Sequence, residues 1–164
     1  MSFETVSRLD LRLAATAHHE AGHAVASIVA MVPFKHVTVG QAAESFGHVL
    51  YFRKALSLGQ MHKRGMIALA GEASERRFNP RSIRKHHGAG DRAAVVDYAL
   101  QCSGSPAQAE ALVNLWSIQA AELVEGRWRE IETLANALME RSQLNYDEAL
   151  HVVLGPRAAA PARR

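Results

Sequence analysis

The sequence predicts a mainly α-helical domain with one small two-stranded antiparallel β element. Apolar residues recur at helical spacing over most of the chain, and cap signals precede three of those stretches. β-Branched and aromatic residues gather in only two short runs. With 164 residues, 48% hydrophobic and 21% charged, the chain has the size and composition of one globular domain able to bury a core. We expect that domain over 11–154, preceded by an extension over 1–10 and followed by a disordered Arg- and Ala-rich tail over 155–164.

Leu11 to about Val32 has the pattern of a first helix, closed by Pro33. Lys35 to Val39 and Gly47 to Phe52 are the two strand-like runs, joined by a Gly- and Glu-containing connection. Ser57-Leu-Gly-Gln60 matches a capping box and opens a second helix, which continues to about Arg77 and ends at Asn79-Pro80. A polar loop follows from Arg81 to Gly90. A third helix then runs from Asp91 to about Cys102, with Ala94, Val95, Tyr98 and Ala99 at helical spacing. Ser105-Pro106 caps a long amphipathic helix through Leu138, which Gly126 would bend, and Asn145 to Glu148 caps a last helix to Leu154. Trp116 and Trp128 read as packing between helices.

Several function classes are disfavoured. The longest apolar run, Ala24 to Phe34, is interrupted by Ser27 and Pro33 and is too short to span a bilayer. The N-terminus lacks the pattern of a secretory signal, so a cytoplasmic location is expected. Cys102 is the single cysteine, which excludes an intramolecular disulfide and fits a buried thiol. The formal charge is +3, with Arg76, Arg77, Arg81, Arg84 and Lys85 clustered. That excess is small and no nucleic-acid-binding motif accompanies it, so a solvated loop is the better reading and no nucleic-acid partner is expected.

The chemistry is concentrated at Thr16 to Val25, where His19, Glu20 and His23 spell H-E-x-x-H inside the first helix. Residues four apart share a helix face, so the two imidazoles can grip one metal ion with Glu20 beside it. A zinc ion on three protein ligands keeps a fourth position for water, whose pKa falls to roughly 7, and Glu20 can accept that water's proton. With nine histidines in the chain, the pair also fits a solvated face. The small apolar flanks (Ala14, Ala15, Ala17, Ala21, Ala24, Val25) argue for burial instead, where unpaired His and Glu would be costly. A third ligand is needed, and the metzincin extension is absent after His23. Spacing leaves Glu44, Glu72, Glu75, Asp91 and Asp97 open.

His19-Glu-Ala-Gly-His-Ala-Val25, His36 to Val39, Gly47-His48, Leu69 to Glu75 and Gly88-Ala-Gly-Asp91 occur in the order found in the peptidase domain of FtsH-type zinc metalloproteases, which the chain resembles over about residues 11–153. The resemblance implies a zincin-like helical metallopeptidase domain with one zinc per chain, held by His19, His23 and Asp91, with Glu75 the runner-up for the third position. The Asp segment here is one residue shorter than the family's. Family members couple this domain to an ATPase module and membrane helices, but this sequence contains no Walker-type loop and no apolar span. ATP dependence or a ring would therefore come through a separate ATPase partner or a homo-oligomer. The expected activity is hydrolysis of unfolded or flexible polypeptides with Glu20 as general base. His48, Val49 and Leu50 would bind substrate along an edge strand, and His86 or His87 are candidate donors to the oxyanion. The alternative is a non-catalytic metal-bound interaction or regulatory domain.

Overall fold

The computed structural model describes residues 8–42, 45–83 and 88–155. The chain orders as α1 (Arg8–Val29), β1 (Phe34–Ala42), β2 (Ser45–Tyr51), α2 (Leu58–Phe78), α3 (Ala89–Gln101), α4 (Pro106–Gly126), α5 (Trp128–Arg141), β3 (Gln143–Asn145) and α6 (Tyr146–Leu154). It is mainly helical, as expected. The expected extension and tail lie largely outside the described residues, which begin with α1 at Arg8.

Three of the expectations need correction. The sheet has three antiparallel strands in the order β2-β1-β3, not two, because Gln143–Asn145 pairs with His36, Val37 and Thr38 on the far side of β1. Three residues are too few to show a period in sequence, and Asn145 there also serves as the N-cap of α6. The long fourth helix is two helices, because Arg127 leaves helical geometry (φ −120°, ψ 21°) right after Gly126, serving as C-cap of α4 and N-cap of α5. Cys102 is half-buried rather than buried. The capping boxes at Ser57 and Asn145 form, and Ser105 caps α4 with Pro106 at the first helical position.

α1 runs through the centre of the molecule. From Ala17 to Ile28 it is buried on every side, as a helix must be when other elements surround it. α2 and α5 pack along it, and the sheet covers another face, with Val37, Val39 and Leu144 buried in the same core. α2 also serves a second core, in which Val95, Ala99, Ala109 and Trp116 join α3 and α4 to it.

Close approach of α1 and α2 sets the geometry that matters later. A Cβ on Gly22 would lie 2.6 Å from both the Ala70 carbonyl oxygen and Ser74 Cβ, and one on Gly71 would lie 2.3 Å from His23 Nε2. Backbone against backbone cannot yield as a flexible side chain can. Gly22→Ala is therefore expected to destabilise the protein by about 1–3 kcal/mol. Gly59→Ala, in the first turn of α2 with nothing within 4 Å of its Cβ, should be neutral or stabilise by about 0.5–1 kcal/mol. Urea unfolding of the two variants checks this, and equal stabilities would show that the helices do not need the glycine.

Candidate metal centre

His19 and His23 lie one turn apart on the inner part of α1, only 9% and 6% exposed, and their Nε2 atoms are 3.0 Å apart. Asp91 sits in the first turn of α3, which starts after Gly88 in the left-handed conformation (φ 68°) that glycine adopts without strain. Its Oδ2 is 3.3 Å from each of the two nitrogens. The structure thus brings His19, His23 and Asp91 into one triangle.

The outer ring nitrogens decide what the inner ones can do. His23 Nδ1–H donates to the Ile67 carbonyl at 2.8 Å, so His23 Nε2 is left with a bare lone pair. His19 Nδ1–H donates to Glu75 Oε2 at 3.0 Å, and its Nε2 likewise faces inward. Three acceptor atoms converge, and their repulsion requires a positive charge at the centre.

In the metal-free protein a proton on His19 supplies it. Burial alone would lower the His19 pKa, but the hydrogen bonds to Asp91 and Glu75 outweigh burial and push it up to about 10. For Asp91, burial raises the pKa, yet the bonds from His19 and His23 prevail and hold the carboxyl well below the usual carboxylate range. A metal ion fits the same position. Tetrahedral zinc with ligands at about 2.0–2.2 Å separates its ligand atoms by about 3.3–3.6 Å, a few tenths of an ångström from the 3.0, 3.3 and 3.3 Å here. Glu75, the alternative ligand, is on the opposite side of His19, where it orients the ring as outer carboxylates do in metal sites.

Glu20 is 6% exposed, and burial raises its pKa above the ordinary range, against the lowering influence of His23 and His19. It lines a cleft of about 180 Å³ together with His23, Asp91, Gly47, His48 and Val49. β2 passes directly over it: a Cβ on Gly47 would lie 2.8 Å from Glu20 Cγ. Of the three strand residues expected to meet substrate, His48 and Val49 line the cleft and Leu50 does not. His48 is exposed and its Nδ1 is 3.1 Å from Thr38 Oγ1.

The remaining candidates are elsewhere. Glu72 is ion-paired with Arg76 and Arg92, and Asp97 accepts from Gln101 on the exposed side of α3. Glu44, Arg84, Lys85, His86 and His87 lie outside the described residues. His18, adjacent to the motif, stacks on Phe78 at 3.9 Å, and burial lowers its pKa. It faces away from the metal triangle toward Phe78 and Trp128.

Sequence reasoning missed Tyr51, Arg64 and Tyr98, which also line the cleft. Tyr51 Oη is 2.8 Å from Ser27 Oγ, burial pushes its pKa up to about 12, and the Arg64 guanidinium lies 3.2 Å over its ring. Nothing in sequence distinguishes Arg64 from the other cations of α2, and Tyr51 reads as an ordinary strand aromatic. No protein-family model matches the chain, and comparison with curated proteins finds no match.

Two outcomes follow for metal binding. At pH 7 each zinc ion taken up should release about one proton, because the proton on His19 must leave first; calorimetry in buffers of different ionisation enthalpy reads this, and no release would mean His19 is already neutral. Glu75→Gln should keep one zinc per chain but weaken affinity about 10–100-fold, whereas Asp91→Ala should lose retention on dialysis. Loss of zinc from the Glu75 variant alone would reverse the two assignments.

Proposed function

We propose that this protein is a zinc-dependent metalloendopeptidase acting on unfolded or flexible polypeptides. The observation that carries the reading is the triangle of His19, His23 and Asp91, with both Nε2 atoms turned toward one point, beside a buried carboxyl and open to a cleft. Zinc held there would polarise the scissile carbonyl and make a water acidic enough to attack at neutral pH.

The chain's own residues supply the rest. Glu20 accepts a proton from the attacking water and donates it to the leaving amine. Its burial suits both steps, since a carboxyl of raised pKa is a stronger base than an exposed one and holds the proton longer. Glu75 and the Ile67 carbonyl keep the two imidazoles in register. β2 is an edge strand among the described residues, and an extended substrate laid beside it would gain main-chain hydrogen bonds. Binding of that kind depends weakly on side chains and favours unfolded chains.

The openness of the site favours catalysis over a purely structural metal. Structural zinc is usually closed by four protein ligands, and the group among the described residues has three. The resemblance to FtsH-type peptidase domains agrees with this reading, and a separate ATPase or a homo-oligomer would extend it to folded substrates. No described helix is long and apolar enough to cross a membrane.

The test is cleavage of an unfolded, fluorescently labelled protein by zinc-loaded wild type beside Glu20→Gln. We expect cleavage by the wild type, and at least about a hundredfold lower turnover in the variant with its zinc retained. Equal turnover would exclude Glu20 as the base. No cleavage by either, with one zinc per chain, would favour a non-catalytic domain or a subunit fed by an unfoldase.

A further inference from the structure

The metal cleft continues past Tyr51. Tyr51, Arg64 and Tyr98 line both that cleft and a second, larger pocket of about 660 Å³. The second pocket has an apolar part, including Met31 and Phe52, which are 78% and 51% exposed. It also has four cations, Arg53, Lys54, Lys63 and Arg64, and no carboxylate among its lining residues.

These cations are placed differently from those on the neighbouring face. On the neighbouring face Arg76 and Arg92 are paired with Glu72, and Arg77 with Glu125. In the pocket, by contrast, Lys63 Nζ donates to the Ala30 carbonyl at 2.9 Å and Arg64 lies on the Tyr51 ring. None of the four has a carboxylate partner among the described residues. Arg64 is also half-buried, and a guanidinium withdrawn from water without a counter-ion is a strong receptor for a planar carboxylate.

The pocket lies in line with the cleft. β2 borders the cleft at Gly47, His48 and Val49, and the chain reaches the pocket at Phe52 to Lys54. An extended substrate beside it keeps pace with the strand residue for residue, so side chains about three to seven residues from the metal reach the cations.

We propose that Arg64, supported by Arg53, Lys54 and Lys63, forms a carboxylate-recognition subsite, so that the protein selects polypeptide segments bearing a carboxylate about three to seven residues from the bond to be cut. The cleavage part of this rests on the peptidase reading above; the recognition part does not. An acidic side chain and a chain-terminal carboxylate share the required chemistry.

Binding to zinc-loaded Glu20→Gln protein separates the two parts. Three fluorescent peptides of equal length are compared: one with internal Asp and Glu and blocked ends, one with Asn and Gln and a free C-terminus, and one with Asn and Gln and blocked ends. We expect either carboxylate peptide to bind roughly tenfold more tightly than the fully blocked neutral one, and which of them does so identifies the source. Arg53→Glu combined with Lys54→Glu, both exposed positions, should erase most of that ratio, as should Arg64→Gln where it folds. Equal binding of all three peptides, or a ratio unchanged in both variants, overturns the subsite whether or not the protein cleaves anything. Discrimination in binding without cleavage by the wild type would uphold the subsite and count against a peptidase that acts alone.

Discussion

Close contact between α1 and α2 is the constraint on which the metal centre depends, because α2 supplies the outer partner of both imidazoles of the triangle. Gly22 and Gly71 leave no Cβ between the helices, so Ile67 presents its carbonyl to His23 and Glu75 its carboxylate to His19. Ser74 bonds the His18 carbonyl at 2.6 Å. At a wider separation the imidazoles would lose these partners. Each ring would then rotate or take another tautomer, and the inner lone pairs would no longer converge.

That convergence gives the buried site its charge logic. Two imidazoles share a small volume with the carboxyls of Glu20, Glu75 and Asp91, of which the first two are almost wholly withdrawn from solvent. Burial opposes charge on each of them, yet the hydrogen bonds between them favour it, and the balance for His19 and Asp91 falls on the charged side. A cluster rich in acceptors and short of cations is stabilised by any positive charge at its centre, and a divalent ion supplies more than a proton does. The cost of burying these groups is thus offset in the state proposed to be functional.

The surroundings divide by role. β2 lies on Glu20 at Gly47 and is an edge strand among the described residues, while α3 carries Asp91 to the mouth and Tyr98 to the threshold. Beyond that threshold four cations without a carboxylate partner among the described residues offer an electrostatic contrast to the acceptor-rich centre. In the proposed peptidase, the centre would act on the peptide bond and the strand edge on the main chain, leaving selectivity to the pocket.

The sequence by itself determined the local features. The helix starts at Ser57, Ser105 and Asn145, the two main strands, and the presence of His19, Glu20 and His23 on one buried helix all follow from short-range periodicity and capping. Those signals act within a turn or two of the chain, so their physics is complete in a short window. The third strand, the break at Arg127 and the separate roles of Asp91 and Glu75 were decided only by tertiary structure. Spacing left five carboxylates open, and whether Asp91 or Glu75 meets the inner nitrogen of His19 depends on which side of α1 each of α2 and α3 packs. Arg64 shows the same limit: its significance comes from its place on the Tyr51 ring between the cleft and the cationic pocket, which is a property of the folded surface that no local pattern encodes.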